Sequence, residues 1–209
     1  MSDALPLMHV DAQRIVINKP AGLLAVPGRG DDKQDCAWAR VRAQFPDALV
    51  VHRLDQATSG LIVFARGEAM QRALSDAFAL RQVGKRYEAV VSGAVAQDEF
   101  DIDLPLIADW PNRPRQKVDL AQGKPSLTHV QVLHRQAGQT RLWLMPVTGR
   151  SHQLRVHLLS IGHPILGDAL YAPPDAAAQA PRLLLHARDL SLPALLGETA
   201  LTLHSPADF

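Results

Sequence analysis

Val51-His52-Arg53-Leu54-Asp55-Gln56-Ala57-Thr58-Ser59-Gly60 lies between two apolar runs, Ala48 to Val51 and Leu61 to Ala65. Short apolar runs bounded by polar turn residues read as strands, so the stretch is a strand, a charged loop and a second strand. The ends of such a loop are pinned and its tip is open, which is where a scaffold presents a reactive group. Asp55 is the candidate. Asp, Thr and Ser are also good turn formers, so composition alone fits equally a loop that only satisfies its own backbone.

The order of the residues says more than their composition. His-Arg-Leu-Asp-x-x-Thr-Ser-Gly resembles the active-site motif of the RluA family of pseudouridine synthases, enzymes that isomerise uridine within structured RNA. Three further stretches share the resemblance. Asn18-Lys19-Pro20-Ala21-Gly22, followed by an apolar run and Pro27-Gly28, is similar to the family's opening motif. Lys85-Arg86-Tyr87 at a strand start is similar to its second active-site motif, and Thr148-Gly149-Arg150-Ser151-His152-Gln153-Leu154-Arg155-Val156-His157 to its third.

The resemblance implies an α+β pseudouridine synthase fold: a mixed, mainly antiparallel sheet with flanking helices and a central active-site cleft, where the Asp55 loop, the Tyr87 strand and the Arg150 helix start converge. It also implies roles. Asp55 is the catalytic carboxylate, Arg150 its partner, and Tyr87 stacks on the base and helps remove the C5 proton. Arg53 fills the space a flipped nucleotide leaves. His52, Thr58, Lys19, Lys85, His152 and Arg155 are expected to contact RNA, although Lys19 also reads as an ordinary surface lysine.

The residue types fit that chemistry. Moving uracil from an N–C to a C–C glycosidic bond involves no net redox change and no hydrolysis, so no cofactor is expected. One carboxylate near the ribose and C6 of the base suffices, and the sequence leaves three routes open: attack on the sugar, attack on the base, or removal of a sugar proton. A guanidinium within a few ångströms lowers a carboxyl pKa by about 1–3 units, opposing the rise that burial brings. A phenol offers a face for the ring and an exchangeable proton, and the chain has only Tyr87 and Tyr171.

Charge is unevenly placed. The net charge is +1, but residues 110–157 carry +7 between flanks of −3 each. Such a segment can track phosphates, and equally reads as a solvated strand face. It contains Trp110, Arg113, Arg115 and Lys117 in a stretch, Gln97 to Pro125, that reads as irregular because of Pro105, Pro111, Pro114 and Pro125. Interleaved aromatic and basic residues suit stacking on a splayed RNA loop. Asp109-Trp110-Pro111-Asn112-Arg113-Pro114 is similar to the subgroup acting on 23S rRNA and the tRNA anticodon loop, which implies both as substrates.

The rest of the chain reads as scaffold. Arg14 to Asn18 is a strand. A helix spans Asp31 to Gln44, capped by Asp31, Asp32 or Asp35, with Trp38 and Phe45 in the core. A second helix, Glu68 to Arg81, presents Ala69, Met70, Ala73, Leu74, Ala77 and Phe78. Strands Thr128 to Leu133 and Thr140 to Met145 pair around Gly138. Thr148 or Ser151 caps a helix ending near Gly162, and Leu183 to Leu203 supplies two or three closing strands.

At 209 residues a single catalytic domain, residues 1–209, is expected, without a separate N-terminal RNA-binding module. Met1 to Pro6 lacks the blocks of a leader, no run approaches the roughly 20 apolar residues of a membrane helix, and the one cysteine, Cys36, fits a reducing compartment. A cytoplasmic monomer with no membrane partner follows. A metal enzyme is disfavoured: His152 and His157 are five apart, and no His-Glu-x-x-His occurs. No Gly-x-Ser-x-Gly elbow supports a serine hydrolase, and one carboxylate does not make a glycosidase. The rival from another class is a non-catalytic RNA-binding or ribosome assembly factor on the same fold, which would need none of Asp55, Tyr87 and Arg150.

Overall fold

The computed structural model describes residues 5–209, so the reading of Met1 to Pro6 falls largely outside the described residues. In chain order the elements are β1 (Leu7–Val10), β2 (Arg14–Lys19), a 3-10 turn at Asp31–Lys33, α1 (Ala37–Gln44), β3 (Ala48–Val50), β4 (Ser59–Arg66), α2 (Glu68–Ala79), β5 (Gly84–Ser92) and β6 (Glu99–Asp103). Then follow β7 (Leu106–Ala108), a 3-10 turn at Trp110–Asn112, β8 (Gln116–Val118), β9 (Leu127–Gln136), β10 (Gln139–Pro146), α3 (Gln153–Ser160), α4 (Pro174–Ala177), β11 (Leu185–Leu192) and β12 (Leu201–His204). Helices with mainly antiparallel strands make the fold α+β, as expected. The chain divides into two compact units, Met1–Lys85 with Ala187–Asp208, and Arg86–His186 with Phe209.

In the first unit β4 is buried at every position from 59 to 65. A strand apolar on both faces belongs inside a sheet. β2 pairs with it antiparallel, from Arg14 opposite Ala65 to Lys19 opposite Gly60. β1 flanks β2, β3 pairs with the end of β4, and β11 follows β4 and carries β12. α2 buries Met70, Leu74 and Ala77 against Val16, Leu61, Val63, Ala65, Leu190 and Leu192. Of its expected apolar face, Ala73 and Phe78 are half-buried and Ala69 is exposed.

The first helix differs from expectation. α1 begins at Ala37, capped by Cys36, whose sulfur accepts from the Ala39 amide at 3.4 Å, while Asp31 lies in a separate 3-10 turn. Asp35 spends its carboxylate on Arg40 instead. Trp38 and Phe45 are only half-buried. The Trp38 indole donates to the Ala48 carbonyl at 3.0 Å and carries Arg42 on its ring, and Arg66 covers Phe45, so cations take the place of core atoms.

In the second unit β5, β10, β9 and β6 follow one another, with antiparallel pairings at β5–β10, β10–β9 and β9–β6. The two-residue turn of Ala137 and Gly138 joins β9 to β10. Ala89, Val91, Val130, Leu142 and Leu144 are buried. Residues 97–125 are not irregular: they contain β6 and the β7–β8 hairpin, with Leu106 opposite Val118. The prolines fall between the strands and in the hairpin loop, where no ladder amide is required. Nor does a hydroxyl cap α3. Its N-cap is His152, in a left-handed conformation with φ 55°, and residues 153–158 are all buried.

Gly60 sets how closely β4 and β11 approach. It has φ +115°, and a Cβ there would stand 2.3 Å from the Ala187 carbonyl oxygen and 2.5 Å from its nitrogen. Backbone cannot yield as a side chain tip can. Gly60→Ala is expected to destabilise the protein by at least about 2 kcal/mol, read from the urea midpoint; a shift under about 0.5 kcal/mol would remove the packing argument.

Candidate active site and RNA-facing residues

The Asp55 loop is built from its neighbours. β3 leaves β4 after Val50 opposite Phe64, so the next amides of β4 need other acceptors. His52 supplies one: its Nε2 accepts from the Val63 amide at 3.1 Å, and its ring stacks on Phe78 with centroids 4.5 Å apart. Accepting at Nε2 leaves the proton on Nδ1. Burial, with Lys85 adding to it, pushes the imidazole down to about 3. His52 is therefore neutral and half-buried, with its Nε2 committed to the scaffold.

Lys19 is also reassigned. It is fully buried, and its ammonium donates to the carbonyls of Pro20 at 2.9 Å, Leu23 at 2.8 Å and Gln56 at 3.1 Å. An ammonium has three protons, and all three are taken, so none is left for a phosphate. The Gln56 carbonyl also accepts from the Gly22 amide, and the Gln56 side chain donates back to Gly22. The residue after Asp55 is thus tied to the turn at 20–23. Burial brings Lys19 down to about 8, with Asp55 pulling upward. The carboxylate and the ammonium sense one another within this unit.

The rest of the loop is graded in exposure. Arg53 is exposed, Asp55 half-buried and Thr58 buried, with the Thr58 amide donating to the Asp55 carbonyl at 3.1 Å. Lys85, at the start of β5, is half-buried, and burial lowers its pKa.

The second unit holds the other expected residues. Tyr87 is half-buried on β5, opposite Leu144. Arg150 is exposed, its Nε 3.3 Å from the Pro125 carbonyl. Arg155 is 5% exposed, and its Nε and Nη2 form a two-point pair with Asp168 at 2.8 and 2.6 Å. A buried guanidinium held in that way is no phosphate contact, which corrects the RNA role expected for Arg155. Trp110 is 66% exposed, with the Arg113 guanidinium 3.1 Å from its ring centre, and Arg113, Arg115 and Lys117 are exposed around the β7–β8 hairpin.

One polar network in this unit has no counterpart in the expected site. The Gln153 amide oxygen accepts from Thr148 Oγ1 at 2.7 Å and from the Arg150 amide at 3.0 Å. Its nitrogen donates to the Leu127 carbonyl and to Thr128 Oγ1, each at 3.0 Å. Thr128 Oγ1 is 3.0 Å from His157 Nδ1, and His157 Nε2 is 3.0 Å from the Leu104 carbonyl. Since Leu104 can only accept, the proton sits on Nε2, Thr128 donates to Nδ1, and every direction in the chain is fixed. The network holds the turn at 148–152. Thr128, a polar residue on the inward face of β9 beside Val130, is the sequence signal for it.

Two measurements check these assignments. Both His52 and His157 are held below their ordinary value by burial. The unfolded state therefore binds protons first, and stability is full above about pH 6.5 and falls below it, by up to about 1.4 kcal/mol per pH unit per histidine. Unfolding at pH 7 and pH 5 should show that slope, reduced in His52→Gln; a flat profile would refute neutral burial. Asp55→Asn should lower the Lys19 pKa below about 8 by NMR titration, because it removes the charge that raises it.

Comparison with known proteins accords with this geometry. The family model for RNA pseudouridylate synthase matches residues 13–160. The dual-specificity RNA pseudouridine synthases RluA of Escherichia coli K12 and Vibrio cholerae are each 49% identical, over 98% of this chain and 94% and 84% of theirs. That of Yersinia pestis is 54% identical over 89% of this chain and 91% of its own. Among solved structures, human RNA pseudouridylate synthase domain containing 1 superposes with a TM-score of 0.82 at 28% identity, covering 98% of this chain and 84% of that one. With a family model across most of its length and relatives near half identity, the chain belongs to the RNA pseudouridylate synthase family of RNA-modifying isomerases.

Proposed function

We propose that this chain converts uridine to pseudouridine in loops of both ribosomal RNA and tRNA, as the dual specificity in its relatives' names suggests. The observation that carries the reading is the Asp55 loop, a half-buried carboxylate on a loop clamped by the fully buried Lys19. A noncatalytic RNA-binding factor has no need of a carboxylate presented at that position.

In the proposed reaction the bond from uracil N1 to the ribose C1′ breaks and one from C5 to C1′ forms. The C5 proton leaves to a base, and N1 takes one up. Asp55 supplies the carboxylate, and Tyr87 stacks on the ring and assists removal of the C5 proton. Extracting the nucleotide costs a few kcal/mol, and the exposed Arg53 fills the space it vacates. Outside the chemistry, the exposed Trp110 offers a ring for base stacking, and Arg113, Arg115 and Lys117 offer charge to phosphates.

Two guanidiniums of the third motif compete for the role of partner to Asp55. Arg150 is exposed, where solvent screens its charge. Arg155 is buried and held in one orientation by Asp168, and a guanidinium fixed in advance gives up less freedom in meeting a carboxylate than a mobile one. Burial favours Arg155, with Arg150 assigned to RNA binding.

Tritium release from RNA labelled at C5 of uridine tests the reaction itself, with unmodified tRNA and a large-subunit rRNA fragment side by side. Release from both is expected, lost at least about a thousandfold in Asp55→Asn. No release from either, with RNA binding retained, would overturn activity on these two RNAs and leave a binding factor or an untested substrate. Arg155→Lys keeps a cation against Asp168 but loses the planar fork. It should lower kcat more than Arg150→Ala, which should chiefly raise KM; the reverse order would return the carboxylate to Arg150.

A further inference from the structure

The second tyrosine is placed where three segments of the second unit meet. Tyr171 Oη accepts from the Gln116 backbone amide at 2.7 Å and lies 2.6 Å from His152 Nδ1. Gln116 opens β8, between Arg115 and Lys117 of the basic hairpin, and its amide is the first of that strand. Among the described residues β8 pairs with β7 alone, so without the phenol this edge amide would turn to water. His152 ends the turn that begins at Thr148 and carries Arg150.

The ring is fixed as firmly as its hydroxyl. The Arg155 guanidinium lies 5.0 Å from its centre, and the His152 ring meets it edge to face at 5.5 Å and 83°. Asp168 Oδ1 accepts from the Tyr171 amide at 3.1 Å and from the Leu170 amide at 3.0 Å while pairing with Arg155. A two-armed hydroxyl on a ring held on several sides joins the basic hairpin to the Arg150 turn.

We propose that Tyr171 is a positioning residue for RNA: its hydroxyl clasps the hairpin carrying Trp110, Arg113, Arg115 and Lys117 to the turn at 148–152, so that the basic contacts meet RNA already in register with that turn. The inference rests on the reading of the hairpin as an RNA contact. Without the hydroxyl the hairpin loses its register with the turn, so fewer of its cations reach phosphate and binding weakens rather than the chemical step. The loss falls on KM.

Tyr171→Phe keeps the ring and removes both hydrogen bonds. Hydrogen exchange at the Gln116 amide reads the clasp without reference to activity: protected in the native chain, it should exchange much faster in the variant. In the tritium-release assay KM for tRNA should rise about tenfold, the scale of one or two lost hydrogen bonds, with kcat within about twofold. The plot of log KM against log salt should become shallower, as fewer phosphate contacts form. Combining Tyr171→Phe with Arg115→Ala should give less than the product of the two effects, because both act through the hairpin. Gln116→Pro removes the same amide from the other side, Pro being tolerated at strand edges, and should reproduce the KM effect if the phenylalanine variant folds poorly.

Unchanged exchange at Gln116 would overturn the clasp. Released exchange with an unchanged KM and salt slope, or with multiplicative effects, would overturn its role in RNA positioning. If the native chain releases no tritium at all, the functional reading fails by itself while the exchange measurement still decides the clasp.

Discussion

Burying the ammonium of Lys19 removes a charge from water, an effective penalty of several kcal/mol that only well-placed partners offset. Three carbonyls do so here, and two of them, Pro20 and Leu23, belong to the turn following β2, while the third, Gln56, belongs to the Asp55 loop. Neither segment has a strand ladder of its own at this point. The ammonium takes the place of that ladder, and because the three carbonyls come from two segments, it fixes one against the other. The negative charge of Asp55 also raises the Lys19 pKa toward the charged form, so the group that is held helps to keep its holder protonated.

The second unit solves a similar problem with neutral groups. A turn that places an arginine ahead of a buried helix leaves amides and hydroxyls without helical partners. Gln153 folds its amide back over them, and Thr128 and His157 complete its other bonds. Because each donor and acceptor is committed, loss of any one leaves a buried polar atom unsatisfied, at about 1–3 kcal/mol. A charged anchor tolerates small displacements, since Coulomb attraction falls off slowly. A neutral network depends on orientation and holds the turn more narrowly.

Much of the fold was legible, and the misreadings have identifiable causes. β4 and α2 were readable because apolar burial repeats with a period, two in a strand or 3.6 in a helix. α3 carries no such stripe. It is buried on all sides, with Gln153, Arg155 and His157 inside, so only its motif marked it. The start of α1 was misplaced because Asp35 is a good cap by type yet engages Arg40, leaving Cys36 to cap. Pro105, Pro111, Pro114 and Pro125 concealed β7 and β8 by punctuating their ends.

Within the candidate site, residue type gave the chemistry but not the direction in which a side chain points. Lys, Arg and His are the residues that bind phosphate, and also the residues that satisfy buried carbonyls, amides and carboxylates. Lys19, His52 and Arg155 serve the second purpose, while Arg53, Arg113, Arg115 and Lys117 are exposed. Motif matching cannot separate these groups, because both are part of the same architecture. Burial can, and it divides the labour physically. Bond rearrangement needs groups fixed within a fraction of an ångström, which buried hydrogen bonds provide. Holding a polyanion needs charges that stay hydrated and accessible until contact, and the exposed side chains of the β7–β8 hairpin meet that condition.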